Sequence, residues 1–206
     1  MIIWFASGNL HKKRELADIL SSAILASGVS FKINIKIPSD VGLEFAPEET
    51  GNSFVENALI KATALFKLVG EPVIADDSGI CVDALDGRPG IHSAYYGGKE
   101  LNAAERNALL LSELGDNLNR KAHFVCAMAL YYGPDRFFIA QETLEGELVR
   151  NVEVARGSGG FGYDPILFIP KLGRTVAELS DEEKNKFSHR GKAGRAIGSL
   201  LCSNMN

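Results

Sequence analysis

The sequence predicts a mixed α/β protein built round a substantial sheet. Three observations carry this. Strand-like and helix-like segments alternate through the first half. A long strand, a turn and a returning strand follow in the second half. The composition, 46% hydrophobic and 23% charged over 206 residues, is that of an ordinary globular chain and excludes extensive disorder.

Residues 1–6 are a short apolar run suited to a buried strand, broken at Ser7-Gly8-Asn9. Leu10, Leu16, Ile19, Leu20 and Ile24 then fall near one face of a helix. Residues 31–37 alternate, with Phe31, Ile33, Ile35 and Ile37 on one side and Lys32, Asn34 and Lys36 on the other, as a half-exposed strand does. Residues 39–52 read as an acidic loop. Residues 53–69 read as a helix, with Phe54, Ala58, Ala62, Leu65, Phe66 and Val69 facing inward and Gly70 and Pro72 as stops.

Residues 73–75 form a short strand that runs into Asp76-Asp77-Ser78-Gly79, and residues 80–82 a second one. A Gly- and Tyr-rich loop covers 87–98, and a helix closed by Gly115 covers 102–114. Residues 121–132 are a long strand, Gly133-Pro134-Asp135 a turn, and 136–141 the return of a hairpin. Further strands are expected at 145–149 and 166–169. Ser180 with Glu183 makes a capping box for a short acidic helix, and Ser188 is placed to cap the last one, which ends near Cys202.

Composition also narrows the function. A net charge of −4 gives no global pull toward nucleic acid or anionic lipid, so neither is expected as a partner. Three cysteines, Cys81, Cys126 and Cys202, form no CxxC pair and read as small buried hydrophobes. The longest apolar run, 124–132, falls well short of the roughly 20 residues of a membrane span. The first residues lack the charge order of a signal peptide, so the cytosol is the expected compartment.

Five segments carry groups suited to chemistry. Ser7-Gly8-Asn9-Leu10-His11-Lys12 lies between a strand and a helix, where free N–H groups and Lys12 can meet a phosphate; the alternative is a turn capped by Asn9 with Lys12 in solvent. Glu48 and Glu49, with Glu56 beyond, can hold a hard cation or simply decorate a helix start. Asp76-Asp77 ends an apolar strand, where one carboxylate can face the core and the other a ligand, binding a metal or taking a proton from water; the alternative is an Asx-turn.

Gly157-Ser158-Gly159-Gly160-Phe161-Gly162-Tyr163-Asp164 satisfies the G-x-G-x-x-G pattern, yet a strand follows where a dinucleotide fold requires a helix. NAD binding is therefore rejected, and Phe161 and Tyr163 are left to wrap a flat ring with Asp164 bonding base or sugar, or to anchor a wide loop. Finally, Lys184 and Ser188-His189-Arg190 place cations where the helix dipole disfavours them, which points to an anionic or carbonyl-rich ligand or to a solvated basic surface.

Taken together, SGNLHK at 7–12, EETGNSFVENALIKA at 48–62, ADDSGICVDALDGRPGIHSAYYGG at 75–98, GSGGFGYDP at 157–165 and AELSDEEKNKFSHRGKA at 177–193 resemble the Ham1/inosine-triphosphate pyrophosphatase family almost end to end. The resemblance implies an elongated Ham1/Maf-like fold, with a twisted central mixed β-sheet flanked by helices and a cleft between two lobes. Residues 1–206 would then be a single domain acting as a homodimer. It implies Mg²⁺-dependent hydrolysis of ITP, dITP and XTP to the monophosphate and pyrophosphate, which cleanses the nucleotide pool.

Position by position, it implies that Ser7, Gly8, Asn9, Leu10, His11 and Lys12 hold the triphosphate. Asp77 is implied as proton acceptor and metal ligand, Glu49 (with Glu48 as the neighbouring alternative) as the other metal ligand, and Ser78 as a substrate contact. Phe161, Gly162, Tyr163 and Asp164 would enclose base and ribose, and Lys184, His189 and Arg190 would complete the site. Base selectivity would come from donors aimed at the purine C6 oxygen, from backbone N–H, Arg190 or protonated His189, which the amino group of ATP would leave unpaired. Two departures stand out: Ser7 replaces the commoner Thr, and Ser93-Ala94-Tyr95-Tyr96 lacks the arginine usual there. Two other readings stay open, a Maf-like pyrophosphatase with another base preference and a nucleotide-binding module without catalysis.

Overall fold

The early alternation of strand and helix builds parallel pairs, because each crossover needs a helix's length of chain. In the computed structural model, which describes residues 1–29, 31–157 and 159–203, β1 (Ile2–Phe5), α1 (Leu10–Ser27), β2 (Asn34–Lys36), α2 (Phe54–Val69) and β3 (Val73–Val82) follow one another. β1 pairs in parallel with both β2 and β3. The later half turns antiparallel: α3 (Ala103–Leu114) precedes the hairpin β4 (Lys121–Gly133) and β5 (Arg136–Leu148), then β6 (Leu167–Ile169), β7 (Arg174–Thr175), α4 (Asp181–Phe187) and α5 (His189–Ser203). All seven strands join one mixed sheet in the order β2-β1-β3-β4-β5-β6-β7. Ser30 and Ser158, the latter within the Gly-rich segment, lie outside the described residues.

The chain divides into two compact units. Unit 1 holds Met1–Asp77, Cys126–Glu142 and the residues from Ser188 onward; unit 2 holds Ser78–Val125 and Thr143–Phe187. In unit 1, Ile3 and Phe5 of β1 pack with Leu16 and Leu20 of α1 and Ile197 and Leu201 of α5. Asn9 caps α1 by accepting from the N–H groups of His11 and Lys12, and Gly28 ends it at φ 72°. Ser53 caps α2, and Gly70 ends it.

Helix α5 lies close against α1 because two of its contact positions are glycines. A Cβ on Gly198 would stand 2.7 Å from the Cβ of Ala23, and one on Gly194 2.7 Å from Cγ2 of Ile19. Helix propensity alone predicts that Gly198→Ala gains about 1 kcal/mol. The expected result is instead a loss of about 1–3 kcal/mol in urea unfolding, because neither Cβ can yield without moving backbone.

Unit 2 gathers Ile80 and Val82 of β3, Leu110 and Leu114 of α3, and Leu144 and Leu148 of β5 into a second core. Asn102 and Glu105 form a capping box on α3, and Ser180 with Glu183 forms the predicted one ahead of α4.

Five expectations need correction. Residues 73–82 are one unbroken strand, with no turn at 76–79, because Asp76 and Asp77 find cationic partners on opposite faces of the sheet. Likewise 136–148 is a single strand; Gly146 sits within it because β6 approaches so closely that a Cβ would meet the Phe168 carbonyl oxygen at 2.6 Å. The strand expected at 31–37 pairs only over Asn34–Lys36, although its inward residues Ile35 and Ile37 are buried as the alternation requires. Leu10 is 58% exposed, since the first turn of α1 projects beyond the core. The thiols of Cys81, Cys126 and Cys202 are free, Cys81 being partly exposed. No helix among the described residues is long and apolar enough to cross a membrane.

Candidate active site

Side chains alternate along a strand, so the adjacent Asp76 and Asp77 face opposite sides of β3. Each then meets a different helix set of unit 1. Asp76 receives Lys12 from the first turn of α1, Nζ to Oδ2 at 3.1 Å. It also receives Arg190 from the first turn of α5, Nη2 to Oδ2 at 2.9 Å and Nε at 3.2 Å. Arg190 reaches Glu15 as well, at 2.9 Å. The Asp76 and Arg190 side chains are almost wholly buried, at 1% and 2% exposure. Burial opposes ionisation of Asp76, yet Lys12, Arg190 and Lys61 outweigh it and hold the carboxyl well below the usual range.

On the other face, α2 presents Lys61 and Asn57 one turn apart. Lys61 Nζ lies 2.9 Å from Asp77 Oδ1 and 2.8 Å from Glu49 Oε2. Asn57 donates to Asp77 Oδ2 at 3.3 Å and accepts from the Gly51 N–H at 2.9 Å, which ties the acidic loop to the helix. Gly51 has no room for a side chain there, since a Cβ would meet Asn57 Oδ1 at 2.7 Å. Burial pushes the Asp77 carboxyl up to about 6; Lys61 pulls it down, and the neighbouring Glu49 pushes it up. Such a group is mostly ionised at neutral pH yet basic enough to accept a proton.

The donor set of Glu49 and Asp77 suits a hard divalent ion. Two carboxylate oxygens already converge on one cationic atom, Lys61 Nζ. Mg²⁺ takes one or two carboxylates and fills its remaining positions with water and phosphate oxygens. No group of three or more His, Cys, Asp or Glu residues suited to a metal occurs among the described residues, so an all-protein cage is not what this site offers.

The segment 7–12 belongs to unit 1 as well. Asn9 serves as cap, and its N–H donates to Ser7 Oγ at 3.1 Å. Lys12 is not left in solvent; Asp76 holds it. Gly8 has no positive φ, and a Cβ there would meet nothing within 4 Å. Neither strain nor packing within the chain demands glycine at that position. Leu10 and His11 are exposed. His189 is buried at the start of α5 beside Arg190. Arg190 is no solvated surface cation, and Asp76 and Glu15 engage its guanidinium.

In unit 2, Lys184 Nζ bonds Asp164 Oδ2 at 2.9 Å and lies 4.5 Å from the centre of the Phe161 ring. The same carboxylate oxygen accepts from the Phe161 N–H at 2.7 Å. Gly160, at φ 72°, leaves it room, since a Cβ would stand 2.0 Å from that oxygen. Tyr163 is buried and donates to the Ser93 carbonyl at 2.9 Å. Phe161 remains 38% exposed, so part of its ring is open. Ser78 follows Asp77 on β3, partly buried.

Sequence reasoning misses Lys61 and Asn57. It traces only the apolar face of α2 and passes over two polar residues four apart that share that face and are buried at 9% and 3% exposure. Between the two glutamates, Glu49 is the one the structure joins to Lys61.

Known proteins match the chain over nearly its whole length. Residues 3–199 match the Ham1 family. A dITP/XTP pyrophosphatase of Treponema denticola is 50% identical over 204 residues, covering 98% of each chain. A HAM1 protein from Coxiella burnetii superposes with a TM-score of 0.86 at 37% identity, over 98% of this chain and 99% of that one. A nucleoside-triphosphatase / dITP/XTP pyrophosphatase from Mycobacterium abscessus gives a TM-score of 0.70 at 39% identity, over 100% and 98%. A family match spanning both units, joined to a relative with half its residues identical, settles the classification: the chain belongs to the Ham1 family.

Proposed function

We propose that the protein hydrolyses the non-canonical purine nucleotides ITP, dITP and XTP to the monophosphate and pyrophosphate, with Mg²⁺, as a cytosolic homodimer that cleanses the nucleotide pool. Residues 1–206 act as one catalytic domain in this reading. The observation that carries it is the Glu49–Lys61–Asp77 cluster, in which a buried carboxylate of raised basicity sits beside a second carboxylate and an ammonium.

The residues around Asp77 handle the phosphate tail. Asp77 takes the proton from the attacking water, and Asn57 and Lys61 fix its orientation. Glu49 and Asp77 hold Mg²⁺, which when bound offsets phosphate charge and lowers the pKa of water. Lys12 and Lys61 add positive charge, and Gly8 lets the phosphates approach the backbone of 7–12. Positioning and charge stabilisation are most of what phosphoryl transfer asks of a protein. Phe161 offers a face to the ring, with Gly162, Tyr163, Asp164 and Lys184 shaping it; Ser78 and His189 are further substrate contacts. Arg190 acts mainly by holding Asp76, and through it the strand that carries Asp77.

Pyrophosphate release across a nucleotide panel, with and without Mg²⁺, tests the reading. Turnover of ITP, dITP and XTP but little of ATP or GTP is expected, with loss in EDTA and recovery on adding Mg²⁺. Preference for dTTP or UTP would move the protein to a Maf-like activity, and tight ITP binding without turnover in any metal would make it a binding module. A second expected result concerns Gly8. Gly8→Val should fold with an unchanged melting temperature, because its side chain enters open space, and should raise the KM for ITP by about tenfold or more through loss of roughly 1.4 kcal/mol of phosphate contact.

A further inference from the structure

Helix α3 buries Leu110, Leu111 and Leu114 against the core of unit 2, and with them one polar residue, Asn107. Asn107 is 6% exposed. Its Nδ2 donates to the carbonyl oxygen of Gly162 at 3.1 Å, across 55 positions of chain. Its Oδ1 is fully buried and meets no hydrogen-bond donor among the described residues. An amide in an apolar layer with one end unsatisfied is a poor way to stabilise a core. A leucine would pack there without that penalty. The satisfied end therefore explains the residue.

That end holds the backbone between Phe161 and Tyr163. Gly162 has φ 63°, a conformation that needs fixing from outside because glycine itself prefers none. Other anchors act nearby. Tyr163 Oη holds the Ser93 carbonyl, and Lys184 holds Asp164, whose carboxylate accepts from the Phe161 N–H. These act on residues 161, 163 and 164 and leave the Gly162 carbonyl to Asn107. Asn107 grips the Gly162–Tyr163 peptide, one residue beyond the exposed Phe161 ring.

Resting on the nucleotide reading above, we infer that Asn107 is a positioning residue for base recognition, which fixes the Gly162 carbonyl and thereby the Phe161 ring against the purine. It touches no phosphate and takes no part in the bond cleavage. Its loss weakens what the base contributes to binding and leaves the phosphate contribution intact.

The test compares wild type with Asn107→Leu, and with the smaller Asn107→Ser should the leucine variant not fold. Gly162 is partly exposed, so water can take its released carbonyl, and the melting temperature of Asn107→Leu should not fall. The KM for ITP should rise about fivefold, as loss of one hydrogen bond implies, with kcat within about twofold. Inhibition by inorganic pyrophosphate, which has no base, should keep its Ki. In the protein without nucleotide, amide exchange at Phe161 to Asp164 should quicken about fivefold.

Equal weakening of ITP and pyrophosphate, or failure of both variants to fold, would assign Asn107 a general structural role and overturn the inference. So would unchanged KM and unchanged exchange. Should wild type hydrolyse none of the purine triphosphates, the proposed activity falls, and the exchange measurement alone decides whether Asn107 fixes the loop.

Discussion

Asp77→Asn is expected to lower kcat for ITP hydrolysis by about 10³-fold or more while the protein stays folded. The fold survives because the substitution keeps the shape and leaves the partners served. Asn57 can still donate to an amide oxygen at position 77, and Lys61 keeps Glu49 at 2.8 Å. What disappears is the group that accepts the proton, a contribution of about 10²–10⁴ by itself. One of the two carboxylates facing the proposed metal disappears with it. A single-turnover assay at saturating ITP isolates the chemical step from binding. Far-UV circular dichroism and the melting temperature should match wild type to within a few degrees. Full activity in Asp77→Asn would remove the proposed base, whatever the nucleotide panel shows.

Much of this site is legible in the sequence, for reasons that differ by residue. Period-two alternation by itself sends Asp76 and Asp77 to opposite faces, and the fold keeps them there. Where the sequence misleads is in ending the strand at Ala75. Charged pairs usually mark turns, and sequence alone does not reveal that Lys12, Arg190 and Lys61, distant in the chain, neutralise this one inside a sheet. Lys61 is illegible for a related reason. A lysine within an apolar helical face reads as a stem lying along the surface with its charge in water, and only the fold brings Glu49 and Asp77 to its ammonium. Caps are easier to read, since Asn9, Ser180 and Ser188 act within a few residues of themselves. The position of Arg190 at a helix start suggests a ligand or a solvated surface, but its burial between Asp76 and Glu15 depends on the packing of α5 against α1, which no local pattern encodes.

The neighbour of the proposed base should behave in the opposite way when altered. Asp76→Asn is expected to destabilise the fold by about 3–5 kcal/mol, a large share of the roughly 5–15 kcal/mol that holds a domain folded. Arg190 is the reason. At 2% exposure it cannot turn to water, and Glu15, its other carboxylate partner, is itself 19% exposed and offsets the stranded charge less well. Lys12 has more freedom, at 19% exposure, and adds less. The shift in urea midpoint at constant m-value measures the effect. Pairing Asp76→Asn with Arg190→Met closes a double-mutant cycle, in which the second change should restore part of the loss by removing the stranded charge. The pH dependence supplies an independent sign. The Asp76 carboxyl titrates below its unfolded value of about 3.9, so its stabilisation is complete above about pH 5 and fades as the pH falls. Wild type should therefore lose more stability than Asp76→Asn between about pH 5 and pH 2. A midpoint that does not move in Asp76→Asn would mean that the buried pair contributes nothing, and that α1 and α5 are held to β3 by their apolar contacts alone.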